Sequence, residues 1–456
     1  MKTYLYSYAG EVYGPAMKVN IRGYKEEELQ NLSIPENAKV ICIEDEIQKY
    51  HLDKEANIMM SEECNAYRTW SDAYNDRYIK GFHLPIKVKD NDEYRSKLRD
   101  TLDKYVEHLK RPAFVYKDGF CESVETICQQ VLHILDDLLQ HNYLKAEETM
   151  KQMLTLFQQD DFLINNLDSS YAFRGIAPYP ELHNNWQYDY EPMLKSPLTF
   201  FRARTIKKEE TQKIDELTHM FHLPHSMRDK ASDMRFNKAG VPGLYLGTTS
   251  YVCSKECGWN SCEEDLYVSA FVPNDQGKKL KILNLVISQA LINGMGSRDN
   301  GGELQLSMLK VFPLVIATSF DVSEKGDKDQ YLLSQLLMNT ANQNGIDGIA
   351  YLSAKGEDEF QYPQGVNLAI PVTDISEQKQ YSEKCKAFDV TKPVRYEGQE
   401  GKERKSYINT VYKQYYENGT VNFASKVDIN GKLQFYGDTF YGKFDDFIVA
   451  QKQYKP

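Results

Sequence analysis

The sequence has few cysteines and tryptophans and no long apolar run. Eight Cys among 456 residues are too few for a disulfide-rich scaffold, and Trp occurs only three times. The longest apolar run, Val311 to Phe320, falls well short of the roughly 18–20 residues that span a bilayer, and we interpret it as a buried strand. The first residues lack the continuous apolar stretch of a secretory signal. These features predict a cytoplasmic protein with reduced thiols and no membrane partner.

Positive charge is also in deficit. Lys and Arg total 55 against 66 for Asp and Glu, which gives a formal net charge of −11. A broad nucleic-acid interface needs a cationic face, so we expect no nucleic-acid partner. A small anionic ligand held by one or two buried arginines is compatible with this balance. The content of 41% hydrophobic and 27% charged residues is typical of a folded protein, and the length predicts two or three domains.

The hydrophobic pattern divides the chain into segments and predicts an α+β protein. Residues 1–110 are interpreted as an N-terminal α/β region without a motif for chemistry, and 111–165 as a helical hairpin. The Asn- and Pro-rich residues 166–197 predict a linker. From 198 to 375, short strands alternate with helices in one compact unit, and residues 390–456 predict a β-rich tail.

Apolar spacing places the individual elements. It predicts helices at Asn91–Leu109 and Gln330–Asn344, and a helical pair within Ser123–Phe157 that breaks at His141-Asn142. The dipeptide Asn430-Gly431 between alternating residues predicts a β-hairpin. The predicted strands are Leu198–Ala203, Gly243–Gly247, Leu266–Val272, Lys281–Leu285, Leu314–Ser319, Ile349–Leu352 and Val366–Val372.

One stretch carries residues suited to chemistry at regular spacing. Tyr245 stands ten residues after Arg235, on a predicted strand, and Glu256 follows eleven residues later in a predicted helix. If strand and helix pack side by side, the three side chains converge on one cleft. Arginine offers a fork of donors to a phosphate, tyrosine a stacking face, and glutamate a charge that stabilises a cation. Taken singly, each residue type is more often a surface ion-pair partner or a core aromatic.

Residues 198–372 resemble the RES domain family, which is named for an Arg, a Glu and a Ser. Four pieces match in the family's order. They are Phe200-Phe201-Arg202-Ala203-Arg204; Arg235 through Tyr245 with Glu256 beyond it; the strand beginning at Leu266; and Gln335 followed by Gly345 through Ser353 and Asn367 through Pro371.

The resemblance implies an ADP-ribosyltransferase-like fold whose substrate is NAD⁺ and whose reaction breaks the nicotinamide–ribose bond without a metal. It implies a glycohydrolase or phosphorylase, acting as a bacterial toxin or an anti-phage abortive-infection effector in antiviral defense. An ADP-ribosyltransferase that modifies a protein is an alternative, and a nucleotide-sensing binding module is another. Because uncontrolled NAD⁺ loss would kill the host, we expect inhibition by the N-terminal region or by a regulatory protein partner.

The resemblance also implies roles for individual residues. Departure of nicotinamide leaves a cation-like ribose, which requires negative charge at the sugar and positive charge at the pyrophosphate. Glu256 is expected at the ribose and Arg235 at the pyrophosphate. Arg202 or Arg204 is expected as a second phosphate ligand, and the sequence leaves the choice between them open.

Three further residues complete the expected site. Tyr245 is expected to stack on or orient the nicotinamide ribose, Ser353 to bond a phosphate or the ribose, and Asn367 to bind the substrate. The expected catalytic residues are Arg235, Tyr245, Glu256 and Ser353, and the expected substrate-binding residues are Arg202, Arg204, Arg235, Tyr245, Ser353 and Asn367.

Two other motifs could indicate a zinc site and a phosphate-binding loop, but neither matches the standard pattern. Cys253, Cys257 and Cys262 lie close together, but their spacing fits no standard zinc ligand pair, which favours ordinary thiols. The glycines of residues 294–302 miss the dinucleotide fingerprint because Asp299 stands where its third glycine belongs.

Overall fold

The computed structural model describes fifteen parts of the chain. They are residues 3–7, 24–25, 39–42, 79, 81–110, 119–174, 198–210, 214–289, 291–292, 303–323, 328–355, 365–396, 426–429, 432–436 and 439–456. The chain separates into two units, Met1–Gly81 with Lys104–Glu122, and Phe82–Asp103 with Ser123–Pro456. Across these parts, no helix combines the length and apolar character that a membrane crossing requires.

The first unit contains a small antiparallel sheet. Strand β1 (Thr3–Ser7) lies between β2 (Tyr24–Lys25) and β3 (Lys39–Cys42). Tyr4 pairs with both Tyr24 and Cys42 across this sheet.

The remaining elements follow in chain order. They are β4 (Ile86–Val88), α1 (Asn91–Leu109), α2 (Phe120–Leu139), α3 (Tyr143–Phe157), β5 (Ile164–Asn166), α4 (Tyr171–Arg174), β6 (Phe200–Lys207), β7 (Gly243–Gly247), α5 (Ser250–Glu256), β8 (Glu264–Pro273), β9 (Lys281–Leu285), α6 (Glu303–Thr318), β10 (Phe320–Val322), α7 (Asp329–Gln343), β11 (Gly348–Leu352), β12 (Val366–Pro371), β13 (Phe388–Thr391), β14 (Val394–Arg395), β15 (Lys426–Ile429), β16 (Lys432–Phe435), α8 (Phe440–Val449) and β17 (Gln453–Tyr454).

A mixed sheet forms the centre of the second unit. Its strand order is β17-β13-β8-β6-β7-β12-β11-β9-β5, with β14 paired to β8, and β11 runs parallel to β9. The pairs β6/β8, β7/β12 and β11/β12 are antiparallel. The α+β class predicted from the sequence is therefore confirmed.

Most elements coincide with the periodicity of the sequence. Helices α1 and α7 and strands β7 and β9 begin and end within one residue of their predicted bounds. The helical pair α2 and α3 breaks at 140–142 as expected, and the apolar face of α2 is buried. Strands β15 and β16 pair antiparallel on either side of 430–431, as a hairpin requires. The hairpin's two central residues lie outside the described residues.

The interpretation of the longest apolar run as a strand is wrong. Val311 to Thr318 lie in helix α6 and are all buried, and only Phe320 begins a strand. A helix that is apolar all round has no 3.6-residue period, so an unbroken run does not distinguish it from a buried strand. Pro313 lies inside this helix, although proline is disfavoured in helix interiors.

The C-terminal segment contributes to the central sheet. Strand β13 pairs with β8, β17 pairs with β13, and helix α8 packs on α5 and β8. Ile448 of α8 is buried in a cluster with Val252 of α5 and Leu266 of β8. The predicted segment boundaries stay predictions, and residues 175–197 of the predicted linker lie outside the described part of the chain.

Candidate active site

The turn from β7 into α5 fixes the position of Glu256, the last residue of that helix. Thr249 caps the helix, since its side chain accepts a hydrogen bond from the Val252 backbone N–H at 3.1 Å. A Cβ on Gly247 would lie 2.5 Å from Val252 Cγ1 and 2.7 Å from Cys253 Sγ. Only glycine therefore allows α5 to pack this closely against the end of β7.

The Glu256 carboxylate is held by two neutral donors from the sheet. Its Oε1 accepts hydrogen bonds from Ser353 Oγ and Asn367 Nδ2, both at 2.6 Å. Ser353 Oγ in turn accepts from the Lys355 backbone N–H at 3.1 Å. Neither donor is charged, and the Glu256 carboxylate forms no ion pair within the described residues. Both of these hydrogen bonds go to Oε1, and Oε2 has no hydrogen-bond donor among the described residues.

Tyr245 lies on β7 with its hydroxyl fixed. The hydroxyl donates to Asn237 Oδ1 at 2.6 Å and accepts from the Phe236 backbone N–H at 3.2 Å. Burial raises the pKa of Tyr245, so the phenol stays protonated and keeps donating. Gly243 leaves room for the ring, because a Cβ there would lie 2.9 Å from Tyr245 Cε2.

Arg202 on β6 forms no ion pair with a carboxylate in the part of the chain that the structure describes. Its Nη1 donates to the Tyr245 backbone carbonyl at 2.8 Å, whereas its buried Nε makes no hydrogen bond within the described residues. Burial and the neighbouring charge of Arg204 lower the pKa of Arg202 to about 10. Arg204 Nη2 instead donates to the Phe221 carbonyl at 2.7 Å. Both guanidiniums donate hydrogen bonds to neutral backbone carbonyls. Because a carbonyl does not neutralise the positive charge, Arg202 can still attract an anionic ligand.

Arg235 stands over the ring of Tyr351. The guanidinium carbon lies 5.2 Å from the centroid of that ring, within the range of a cation–π interaction. The Tyr351 ring packs against Phe236 at 4.8 Å. Burial and the nearby charge of Glu256 raise the pKa of Tyr351 well above its ordinary value, so this phenol is neutral. Tyr351 thus connects Arg235 to the carboxylate side of the site.

These side chains surround one cavity of about 290 Å³, here called the first cavity. Arg202, Tyr245, Glu256 and Asn367 all line it. The other lining residues are Ala203, Leu223, Lys230, Ala231, Ser232, Met234, Asn237, Pro242, Gly243, Leu246, Gly247, Cys253, Cys257 and Tyr351. The wall of the cavity therefore contains a carboxylate and a guanidinium that forms no ion pair within the described part of the chain.

The structure brings most of the predicted site residues together. Ser353 reaches the first cavity through its hydrogen bond to Glu256, and Arg235 is adjacent through Tyr351. Arg204 does not line the cavity, so the geometry favours Arg202 between the two candidates. The glycine-rich residues 294–302 lie outside the described residues.

Sequence reasoning missed Tyr351 and Asn237. Tyr351 precedes Ser353 by two residues on β11 and its continuation, so strand alternation places both side chains on one face and could have indicated it. Asn237 has no comparable signal, because it lies in a turn and contacts Tyr245 only through tertiary packing.

The three clustered cysteines form no metal site. Cys253 is buried and donates to the Phe201 carbonyl at 3.2 Å, whereas Cys257 and Cys262 are exposed. Within the described ranges, no group of three or more His, Cys, Asp or Glu side chains is arranged to hold a metal ion.

Helix α8 contacts the N-terminal end of α5 through hydrogen bonds. Asp445 accepts hydrogen bonds from the Ser250 backbone N–H at 3.2 Å and from the Tyr436 hydroxyl at 2.6 Å. Burial raises the pKa of Asp445 to about 7. At the same interface, Ser254 Oγ donates to the Tyr441 hydroxyl at 3.2 Å. The C-terminal segment therefore holds the helix that carries Glu256.

Comparison with known proteins gives one informative similarity. The chain is 24% identical over 423 residues to a Bacillus subtilis (strain 168) protein named Putative toxin YopC, which covers 85% of this chain and 88% of that protein. The similarity is longer than residues 198–372 and therefore extends beyond them along the chain. Neither a protein-family model nor a solved structure matches the chain.

Proposed function

We propose that this chain is an NAD⁺-consuming enzyme that cleaves the nicotinamide–ribose bond. The observation that carries the proposal is that the Glu256 carboxylate and the Arg202 guanidinium line the same cavity, and that Arg202 forms no ion pair with a carboxylate within the described residues. A ligand that complements this wall has an anionic group and a centre that becomes cationic. NAD⁺ has both, in its pyrophosphate and its nicotinamide-bearing ribose.

Different residues bind the pyrophosphate and stabilise the ribose. Arg202, with Arg235 nearby, attracts the pyrophosphate and orients the substrate. Ser353 and Asn367 hold Glu256 so that its free oxygen stands beside the ribose. A carboxylate fixed before the reaction stabilises the developing positive charge without reorganisation.

The chemical step is a substitution at the ribose anomeric carbon. The carbon–nitrogen bond to nicotinamide breaks, and nicotinamide leaves with the bonding electron pair as a neutral molecule. Water adds to the same carbon and releases a proton, which gives ADP-ribose, and phosphate would give ADP-ribose 1-phosphate instead. The carboxylate is needed in either case, because the cationic ribose precedes the choice of acceptor.

A toxic activity follows from the same reaction. The relative's name describes it as a toxin, and a cell that loses NAD⁺ stops growing. We therefore propose a toxin or abortive-infection effector, with control by the N-terminal region or by a protein partner. Induced expression of the wild type should arrest growth, whereas expression of Glu256→Gln should not.

The direct test is release of nicotinamide from NAD⁺ by the purified full chain. Glu256→Gln keeps an oxygen that accepts from Ser353 and Asn367 but removes the charge, so we expect at least about 10²-fold slower release. Glu263→Gln is the matched control, because Glu263 is exposed and does not line the cavity. Release with phosphate and without it identifies the acceptor.

Three results would oppose the proposal. Equal rates for Glu256→Gln and the wild type would remove the carboxylate from the mechanism. Transfer of labelled ADP-ribose to a protein band, without free ADP-ribose, would indicate a protein-modifying transferase. Intact NAD⁺ that nevertheless raises the melting temperature would indicate a binding module.

A further inference from the structure

A second cavity of about 310 Å³ adjoins the first. Four residues line both cavities, namely Asn237, Pro242, Gly243 and Tyr245. Each cavity lies near the lower end of the range of about 300–1,000 Å³ that ligand pockets span. The two cavities are therefore small, and four residues form a wall that they share.

The second cavity continues the first along the β7/β12 strand pair. Asn367, Ala369 and Pro371 alternate along β12 on one face, and they pair with Gly247, Tyr245 and Gly243. Asn367 lines the first cavity, whereas Ala369 and Pro371 line the second. Four residues of strand separate the ends, which is roughly 13 Å at about 3.3 Å per residue. A ligand bound at Glu256 and extended along these strands would enter the second cavity.

The outer wall of the second cavity has the chemistry of a nucleobase site. Tyr143 lines it and is 48% exposed, and the Lys238 ammonium lies 5.6 Å from the centroid of the Tyr143 ring. Asn339, from α7, lines the cavity and is exposed, so its amide is accessible as both donor and acceptor. The apolar part of the wall comes from Leu138, Val241, Leu332, Leu336 and Val372.

We infer that the second cavity is the subsite for the adenine end of the dinucleotide. An aromatic ring stacks on any base, an amide reads its polar edge, and a lysine favours a phosphate next to it. This inference rests on the proposed function and deepens it, because it assigns the adenylate half of the substrate to residues of α3 and α7. Both helices lie outside the stretch from Arg235 to Glu256 that carries the Arg, Tyr and Glu pattern.

The test compares NAD⁺ with nicotinamide mononucleotide, which lacks the adenylate half. Tyr143→Ala removes the aromatic surface on which the base would stack. We expect the ratio of kcat/KM for NAD⁺ to that for the mononucleotide to fall roughly tenfold or more. Leu144→Ala is the matched control, since Leu144 is 86% exposed and does not line the cavity. A ratio equal to that of the wild type overturns the inference.

A binding measurement separates this inference from the proposed function. Calorimetric titration with AMP needs no turnover, and we expect Tyr143→Ala to bind AMP roughly tenfold more weakly than the wild type and Leu144→Ala. Such weakening without nicotinamide release would keep the subsite and refute the proposed reaction. Nicotinamide release with equal AMP affinity in wild type and Tyr143→Ala would keep the reaction and refute the subsite. Absence of AMP binding to the wild type would refute it too.

Discussion

The buried carboxyl of Asp445 makes the free energy of unfolding decrease as pH rises. The folded state raises the pKa of this buried carboxyl from 3.8 to about 7, so between these values the folded chain binds more protons than the unfolded chain. The stabilising effect is complete below pH 3.8 and is lost as pH rises through 7. The difference between the folded and unfolded pKa values of Asp445 corresponds to about 4 kcal/mol of unfolding free energy, at about 1.36 kcal/mol per pKa unit.

Asp445→Asn removes the titration while it keeps an oxygen that accepts from the Ser250 backbone N–H. Relative to the wild type, the variant should therefore gain stability as pH rises. Roughly 2–3 kcal/mol of the total falls between pH 5 and pH 8, which is a shift on the order of 5 °C in Tm. Thermal unfolding of both proteins at the two pH values measures the difference.

The control is Asp275→Asn, which alters a carboxylate whose side chain is 96% exposed. This variant should follow the pH dependence of the wild type. If Asp445→Asn also follows it, or loses stability relative to the wild type between pH 5 and pH 8, then burial does not govern this carboxyl and the reasoning is refuted.

Three other substitutions test the site. Gly247→Ala should lower the free energy of unfolding by about 1–3 kcal/mol, because the added methyl group overlaps Val252, and an unchanged Tm would contradict this. Ser353→Ala removes one of two donors to Glu256 and should lower kcat/KM for NAD⁺ about tenfold, with recovery in Ser353→Thr as the check. Arg202→Met should weaken ADP-ribose binding at least tenfold without lowering Tm, since it removes a buried cation that has no carboxylate partner; a lower Tm would show that the cation is structural.

Local patterns in the sequence were sufficient for the strand and helix that carry the candidate site. The sequence predicts strand Gly243–Gly247 and a helix that carries Glu256, and the structure has both as β7 and α5. Helix α6 was misread because an unbroken apolar run carries no period. Its burial on every side is a property of the fold and not of the segment.

The parts of the site that were not predicted depend on distant segments. Asp445 supports α5 from a segment almost 200 residues further along the chain, and no local pattern links the two. The choice between Arg202 and Arg204 also required the structure, because both side chains lie on the same strand face. What distinguishes them is tertiary packing, since Arg204 donates a hydrogen bond to the Phe221 carbonyl. The second cavity joins α3, α7 and β12, so it exists only after these elements pack.

The central claim concerns one bond, and proton NMR of NAD⁺ incubated with the purified protein observes that bond directly. The account predicts that the signals of the nicotinamide-bearing ribose disappear as free nicotinamide and ADP-ribose, or its 1-phosphate in phosphate buffer, appear in equal amounts, while Glu256→Gln leaves the spectrum of NAD⁺ in place. Persistence of the NAD⁺ signals with the wild-type protein, or cleavage at the pyrophosphate instead, would contradict it.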